Sequence, residues 1–406
     1  MLSSSAASIR QGQVVPFPVP FRPADEAVPA PQPRVFLSPP HLAGGEMLAL
    51  QATLEAGWIA PAGPVPVAFE RAVALATGIE HVLAVASGTA ALHLGFRLLD
   101  VCPGDEVWTS SLTFIASIGP AVQMGAIPRF LDVDAAHWTM DVALLRVELA
   151  AAARRGRLPR VVVPVDLYGQ PADMPAIVDA CAAWGVPVLS DSAESLGATQ
   201  HGRHAGVGAK LVALSFNGNK IITAGGGGAL ASEDAGLIGR ARHLASQAKE
   251  ASAHYQHETI GFSYGMSSVL AAVGIAQIAA LEDRVAARRG VHERYRAGLE
   301  DLPGLSFIAE PDWSRSNRWL TVIRVDADLA GVDRETIRLA LAAENIESRP
   351  AWKPLHLQPA FRQAPMAGGA VAATLFEQGL CLPSGSSLSL ADQARVIGII
   401  RRCCRG

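Results

Sequence analysis

The chain has 406 residues, a formal net charge of -3 at pH 7 and hydrophobic side chains at 50% of its positions. This composition is typical of a globular protein with roughly two or three domains, and the near-neutral charge gives no reason to expect a nucleic-acid partner. The five cysteines form no C-x-x-C pair, so we predict neither a zinc site nor a disulfide framework and expect a reducing cytoplasm. Apolar runs are too short or too interrupted to predict a membrane span.

The N-terminal part of the chain divides into an arm and two helices. Residues 1–33 are rich in Ser, Ala and Pro and are predicted to be a flexible or extended arm. Helical spacing of apolar residues predicts helices at 45–57 and 67–77. The first helix carries apolar side chains on one side: Met47, Leu48, Leu50 and Leu54.

Short apolar strands then alternate with helices. The predicted strands are 82–86, 106–109, 129–133, 161–165, 186–190 and 210–216. This alternation predicts an α/β domain, at 34–265, with a mainly parallel sheet between helices. A long helical region at 266–299 and a smaller α+β region follow, and we group them as a second unit at 266–406. The smaller region contains a predicted strand at 319–325 and predicted helices at 334–345 and 391–401.

Three polar residues follow predicted strands. Ser87 opens SGTAALHL, Asp191 opens DSAES, and Lys220 lies in SFNGNKIITAGGGG, with no acid partner evident in its apolar surroundings. Because ligands of such sheets bind beyond the carboxyl ends of strands, these residues are expected to converge. A lysine that can hold an aldehyde, an acid for a pyridine nitrogen and a helix N-terminus for a phosphate suit pyridoxal phosphate. The glycines at 225–228 would let the backbone approach a flat ligand.

Each candidate alone also has a simpler interpretation. An isolated Lys220 would most often be a solvated lysine in a turn, and Asp191 and Ser87 would most often be helix N-caps. The other candidates alone would be a core side chain or ordinary polar loop residues: Phe114, Glu194 and Asn217. Two histidine pairs have no third ligand, so no metal site is predicted: His201 with His204, and His254 with His257.

A series of motifs in fixed order resembles the sugar-nucleotide aminotransferases of the DegT/DnrJ/StrS group. The motifs are GWIAPAGP, SGTAALHL, PGDEVWTSSLTFIAS, LYGQPADM, DSAESLGA, SFNGNKIITAGGGG and RPAWKPLHLQPAF. The resemblance covers residues 34–402 and implies a pyridoxal-phosphate enzyme of fold type I. Such an enzyme has a large α/β domain with a mainly parallel sheet between helices and a smaller C-terminal α+β domain.

The resemblance also implies roles for individual residues. Lys220 would hold the cofactor aldehyde and move the proton, and Asp191 would pair with the pyridine nitrogen. The other cofactor-binding positions would be Gly88 and Thr89 at the phosphate with Ser215 assisting, Phe114 stacked on the ring, and Glu194 and Asn217 nearby. Some members have histidine in place of the lysine and dehydrate their substrate, so Lys220 favours transamination. Asp166 stands where many members have histidine.

The family implies a homodimer with active sites shared between subunits. A stretch N-Y-R-M-S-N of the neighbouring subunit reaches the cofactor phosphate in this family, and here residues 263–268 are SYGMSS. Ser263 would therefore contribute a hydrogen bond to the partner's cofactor. Gly265 stands in place of the arginine and removes a bidentate cation.

The C-terminal motif indicates the acceptor substrate. Arg349, Lys353 and His356 would supply donors to the diphosphate of a nucleotide sugar, although the same residues would also suit a solvated loop. The motif is most similar to members that use an amino acid, expected to be glutamate, to aminate UDP-linked 4-keto-6-deoxy-N-acetylhexosamines for glycan or polysaccharide biosynthesis. The alternatives are a 3-keto or GDP-linked sugar, a pyridoxal-phosphate lyase acting on an amino acid alone, and a cofactor-binding sensor without turnover.

Overall fold

The structure is a computed structural model that describes residues 33–404. The predicted N-terminal arm lies outside the described residues except for its last position. Within residues 33–404, every helix is too short or too polar to cross a membrane.

Helices and strands alternate along the first two thirds of the described chain. The α-helices are α1 (Glu46–Glu55), α2 (Pro64–Thr77), α3 (Gly88–Leu98), α4 (Gly119–Gln123), α5 (Val142–Arg154), α6 (Met174–Ala182), α7 (Ala235–Ala245), α8 (Ser268–Ile278), α9 (Leu281–Leu299), α10 (Ala327–Ala330), α11 (Arg334–Ala343), α12 (Ala370–Gln378) and α13 (Leu390–Cys403). Short 3₁₀ turns occur at Ile115–Ser117, Leu355–Leu357 and Pro359–Phe361.

The strands are short, as expected for a sheet buried between helices. They are β1 (His81–Val85), β2 (Glu106–Ser110), β3 (Ile127–Leu131), β4 (Val161–Val163), β5 (Leu189–Asp191), β6 (Thr199–Gln200), β7 (Arg203–His204), β8 (Leu211–Ser215), β9 (Gly228–Ser232), β10 (Leu305–Phe307), β11 (Ser314–Arg315), β12 (Thr321–Val325), β13 (Arg349–Pro350), β14 (Met366–Ala367) and β15 (Gly379–Leu382).

The central sheet consists of two four-stranded halves, ordered β1-β9-β8-β5 and β14-β3-β2-β4. Parallel bridges between Val162 and Val188 and between Val165 and Asp191 join β4 to β5 and make the halves continuous. Only β9 runs against its neighbours in this sheet, because it pairs antiparallel with both β1 and β8. Strands β1, β8 and β5 therefore point the same way, and the prediction of a mainly parallel sheet between helices is confirmed.

A smaller α+β region follows. Strands β10, β12, β15 and β13 form an antiparallel sheet in that order. Its apolar core contains Tyr295 of α9, Leu341 of α11 and Ile399 of α13, all buried. A separate three-stranded sheet, β11-β6-β7, connects sequence-distant segments.

Several predicted boundaries differ from the structure. The helical region 266–299 is two helices, because the chain leaves helical pairing between α8 and α9 at residues 279–280. The strand predicted at 186–190 is observed as β5, which begins at Leu189 and includes Asp191, while Val188 makes only an isolated bridge to Val162.

Helix α1 packs its polar face against the rest of the chain. Its two buried residues are Glu46 and Thr53, and Glu46 accepts hydrogen bonds from the backbone N–H groups of Ala43 (2.6 Å) and Gly44 (2.8 Å). Three of the four apolar side chains singled out in the sequence are exposed: Met47 at 74%, Leu48 at 73% and Leu54 at 53%.

Candidate active site

A cavity of about 540 Å³ lies beyond the carboxyl ends of β1, β5 and β8. Because these strands run in the same direction, the loops that follow them meet at one edge of the sheet. The cavity brings together most residues predicted to bind the cofactor or substrate: Gly88, Thr89, Phe114, Asp191, Glu194, Ser215, Asn217, Lys220 and Arg349.

One end of the cavity is the N-terminus of α3. Ser87 caps this helix, because its Oγ accepts a hydrogen bond from the N–H of Ala90 at 3.0 Å. Gly88 lies so close to β8 that an added Cβ would come within 3.0 Å of the Ser215 Cβ. A capped helix N-terminus without a side chain at its first position fits a phosphate group.

The glycines at 225–228 contact the Ser87–Gly88 turn and line part of the cavity. A Cβ on Gly228 would lie 2.4 Å from the carbonyl carbon of Ser87 and 2.5 Å from the nitrogen of Gly88. Gly226 and Gly227 line the cavity itself. Gly228 is therefore required where β9 contacts the turn before α3, and Gly226 and Gly227 let the backbone itself form the cavity wall.

Asp191 forms the acidic floor of the cavity. It is 5% exposed, and its carboxylate accepts hydrogen bonds from the hydroxyl of Ser117 (2.6 Å) and the N–H of Ala193 (3.2 Å). Burial raises the pKa of Asp191, while the Ser117 hydrogen bond and the nearby Lys220 oppose the rise. A cation placed against this buried carboxylate would be strongly favoured, which fits a protonated pyridine nitrogen.

Lys220 reaches the cavity from the turn after β8. Its Nζ lies 3.3 Å from Glu194 Oε1 and 4.2 Å from the centroid of the Trp319 ring. The expectation that this lysine lacks an acid partner is therefore wrong. Burial raises the pKa of Glu194 to about 7, and the charge of Lys220 acts against that rise. The second carboxylate oxygen of Glu194 accepts the N–H of Tyr168 at 2.8 Å.

Asp166 lies behind the floor and does not line the cavity. Its fully buried carboxylate accepts hydrogen bonds from the hydroxyls of Ser192 (2.8 Å) and Ser195 (2.6 Å) and from the N–H of Ala172 (2.8 Å). Burial raises its pKa to about 6. Its own N–H donates to the Asp191 carbonyl at 3.1 Å, so Asp166 helps to hold the strand that carries the floor acid.

Aromatic and cationic groups form the mouth of the cavity. Phe114 is 58% exposed, so it is not a core side chain, and its ring centroid lies 5.7 Å from that of Trp352. Arg349 pairs with Glu347 at 2.9 Å and remains mostly accessible. The mouth therefore offers ring surfaces and a guanidinium to an incoming ligand.

Three predicted site residues lie outside this cavity. Ser263 lines a separate cavity of about 220 Å³ together with Pro61 and Gly265. A Cβ on Gly265 would be 2.8 Å from the Pro61 Cβ, so the family's arginine has no room here. Lys353 is exposed. The His356 Nδ1 is 2.5 Å from the Ser111 hydroxyl, and burial lowers the pKa of His356.

The structure adds residues that sequence analysis did not single out. Ser117 orients the Asp191 carboxylate, and Trp319 and Trp352 line the cavity. Ser117 lies in the motif PGDEVWTSSLTFIAS, where its hydroxyl was the available clue. Trp319 was placed at the start of a strand, and nothing near it in the sequence connects it to Lys220.

Comparison with known proteins identifies the family. Residues 40–401 match the DegT/DnrJ/EryC1/StrS aminotransferase family. EpsN of Bacillus subtilis (strain 168), whose name assigns it to the pyridoxal phosphate-dependent aminotransferases, is 45% identical over 371 residues, which are 90% of this chain and 95% of EpsN. GDP-perosamine synthase of Caulobacter vibrioides is 32% identical over 371 residues, 91% of this chain and 98% of that enzyme.

A solved structure agrees. The crystal structure of a DegT DnrJ EryC1 StrS aminotransferase from Brucella abortus is 32% identical, covers 88% of this chain and 94% of that chain, and has a TM-score of 0.82. The predicted fold class, enzyme class and cofactor, pyridoxal 5'-phosphate, are thereby confirmed. The chain belongs to the DegT/DnrJ/EryC1/StrS family of pyridoxal-phosphate-dependent aminotransferases.

Proposed function

We propose that the protein moves an amino group from an amino acid, glutamate, to a keto sugar linked to a nucleotide. The observation that carries this proposal is the convergence of Lys220, Asp191 and the α3 N-terminus in one cavity whose mouth holds Arg349. The first three suit the cofactor, and the guanidinium suits the phosphates of an acceptor.

The cofactor would be held at three points. Asp191 would face the ring nitrogen, the N–H groups of Gly88 and Thr89 would face the phosphate, and Lys220 would be joined to the aldehyde carbon. Phe114 would cover the ring, with Ser215 beside the phosphate. When bound, pyridoxal phosphate supplies a carbonyl that takes and returns an amino group and a ring that accepts electrons.

Lys220 would move the proton. Its Nζ lies 3.3 Å from Glu194 Oε1 and 4.2 Å from the centroid of the Trp319 ring, so both neighbours help to fix the position of the amine. Burial raises the pKa of Glu194 to about 7. We propose that Glu194 positions the lysine amine for proton transfer.

The acceptor we propose is a UDP-linked 4-keto-6-deoxy-N-acetylhexosamine used in polysaccharide or glycan biosynthesis. The C-terminal motif carrying Arg349 supports this choice. A GDP-linked keto sugar is the second candidate, because a relative that is 32% identical bears the name GDP-perosamine synthase. A lyase would act on the amino acid alone, and a sensor would not turn over.

We further propose a homodimer in which Ser263 serves the partner's site. Ser263 is exposed and lies in a cavity apart from that of its own Lys220. Exposed apolar side chains on and after α1 support an interface: Met47, Leu48, Leu54 and Ile59.

Leu48→Lys should dissociate the dimer, as measured by light scattering, whereas Leu75→Lys, at an 87% exposed position of α2, should not. A monomeric wild-type protein would refute the shared site.

The test of function is spectroscopic. Glutamate should remove the visible band of the lysine-linked cofactor, and a UDP-linked 4-keto sugar should restore it more efficiently than a GDP-linked one. Restoration by the GDP-linked sugar alone would select the second candidate. A band that no amino donor removes would refute the aminotransferase proposal.

A further inference from the structure

A groove rich in arginine lies on the smaller α+β region, outside the catalytic cavity. We call it the arginine groove; it has a volume of about 480 Å³ and runs between α11 and the chain at 346–350. Its charged and hydroxyl side chains are Arg34, Arg334, Glu335, Arg338, Glu347, Ser348 and Arg349. Val35 bridges Ile346, which brings Arg34 to this place.

The groove has an excess of positive charge. It contains four arginines and two glutamates, which give it a formal charge of +2. Glu335 is engaged by Arg338 at 2.6 Å, and Glu347 by Arg349 at 2.9 Å. Arg34 has no carboxylate partner recorded among residues 33–404; its guanidinium lies 5.6 Å from the centroid of the Phe36 ring. An anion would therefore be attracted to this groove.

Two buried polar atoms of the groove lack hydrogen bonds. Ser348 is 8% exposed, and its Oγ has no hydrogen-bond partner among the described residues. The Arg334 Nη1 likewise makes no hydrogen bond, and the nearest carboxylate oxygen, on Glu335, is 3.6 Å away. Buried donors left without acceptors are costly, so a ligand that supplies oxygen atoms would be stabilised here.

The groove adjoins the catalytic cavity. A third cavity of about 340 Å³, lined by Phe36, Leu37, Trp319 and Arg349, borders both of them. Arg349 lines all three cavities. A ligand that contacts Arg349 from the catalytic cavity therefore lies next to the groove.

We propose that the arginine groove binds the phosphates of a nucleotide whose sugar lies in the catalytic cavity. Arg34, Arg334 and Ser348 donate hydrogen bonds to phosphate oxygens. This inference rests on the proposed function. The same chemistry would also hold a free nucleoside diphosphate, and the position of Arg349 in the lining of both the groove and the catalytic cavity favours the substrate as its source.

The test compares the variant Arg34→Gln/Arg334→Gln with wild type. The control is Arg402→Gln, an exposed arginine at the end of α13 that lines none of the three cavities. Binding of UDP and of inorganic diphosphate to the cofactor-loaded protein is measured by calorimetry. The rate at which glutamate removes the cofactor band and the KM for the keto-sugar nucleotide are measured on the same samples.

We expect the double variant to raise the Kd for UDP and the KM for the sugar nucleotide about tenfold or more, because charge-assisted hydrogen bonds to phosphate are lost. The glutamate reaction and the control should be unchanged. Arg334 also donates to the Glu377 carbonyl and lies over Phe376, so its replacement could disturb the local structure. The single variant Arg34→Gln is therefore measured as well, and this one change should be enough to weaken UDP binding.

The outcomes separate the two proposals. Unchanged UDP and diphosphate binding in both variants would overturn the phosphate site. Weaker UDP binding with an unchanged KM would assign the groove to a free nucleotide and overturn its role in substrate binding. If no keto-sugar nucleotide reacts with wild-type protein, the proposed function fails, while calorimetry still decides whether the groove binds phosphate.

Discussion

The floor and the mouth of the catalytic cavity are built differently. On the floor, Asp191 and Glu194 are at most 5% exposed and their carboxylates accept hydrogen bonds from neighbouring groups. At the mouth, Phe114 is 58% exposed and Arg349 is accessible. Charges on the floor act with little screening, whereas those at the mouth compete with water. We therefore expect floor changes to alter the chemical step and mouth changes to alter affinity.

Removing the lysine should have the largest effect. Lys220→Ala lacks the amine that we propose holds the cofactor and moves the proton, so the rate of the glutamate reaction should fall by about 10⁴-fold. Single-turnover absorbance measures this rate. Lys210→Ala is the matched control, because Lys210 is exposed and pairs with Asp234 on the surface. A variant that retains near-normal turnover would remove Lys220 from the mechanism.

Changing the floor acid comes next. Asp191→Asn keeps the shape but loses the negative charge that would keep the ring nitrogen protonated, and we expect about a 10²-fold slower glutamate reaction. Ser117→Ala should reduce the rate of the glutamate reaction less than Asp191→Asn does. The Ser117 hydrogen bond lowers the pKa of Asp191, so its loss should raise that pKa and move the acid limb of the pH–rate profile upward. An unshifted acid limb would contradict this role of Ser117.

A change at the mouth should spare the chemistry. Arg349→Gln should raise the KM for the sugar nucleotide about tenfold and leave the glutamate reaction unchanged, since we propose that the lost guanidinium binds the acceptor. Arg362→Gln, at an exposed position of the same C-terminal motif region, should change neither value. An equal loss of rate in the reaction with glutamate and in the reaction with the sugar nucleotide would contradict the distinction between floor and mouth.

The smallest expected effect is on stability. In cofactor-free protein the pKa of Glu194 is about 7, above its ordinary value of 4.5, so its ionisation opposes folding. The stability of wild type relative to Glu194→Gln should be highest below pH 4.5 and fall as pH rises through about 7. Thermal unfolding of both proteins across this range measures the trend, with an expected change of a few degrees. A difference independent of pH would contradict the raised pKa.

The sequence was sufficient for the strand-end residues and for the alternation of strands and helices. Ser87, Asp191 and Lys220 were expected at one edge of the sheet, and they lie there because Asp191 ends a short apolar strand and the other two residues follow one. The pairing of Lys220 with Glu194 and Trp319 was not predictable, since those contacts depend on how distant loops approach each other. The exposure of the apolar side of α1 was also not predicted. An apolar pattern shows that a helix face is suited to burial, but it does not show whether that face packs against the same chain or against another one.

The contact between Gly228 and the Ser87–Gly88 turn has a consequence for when the enzyme acquires its cofactor. The turn is flanked by β1, and β9, which begins at Gly228, is the strand that fills the space between β1 and β8. Until the ribosome has released this strand, the turn that we propose binds the phosphate lacks its support, and the cavity lacks the wall formed by Gly226 and Gly227. On this proposal, a growing chain completes its cofactor site only after more than half of its residues have been synthesised.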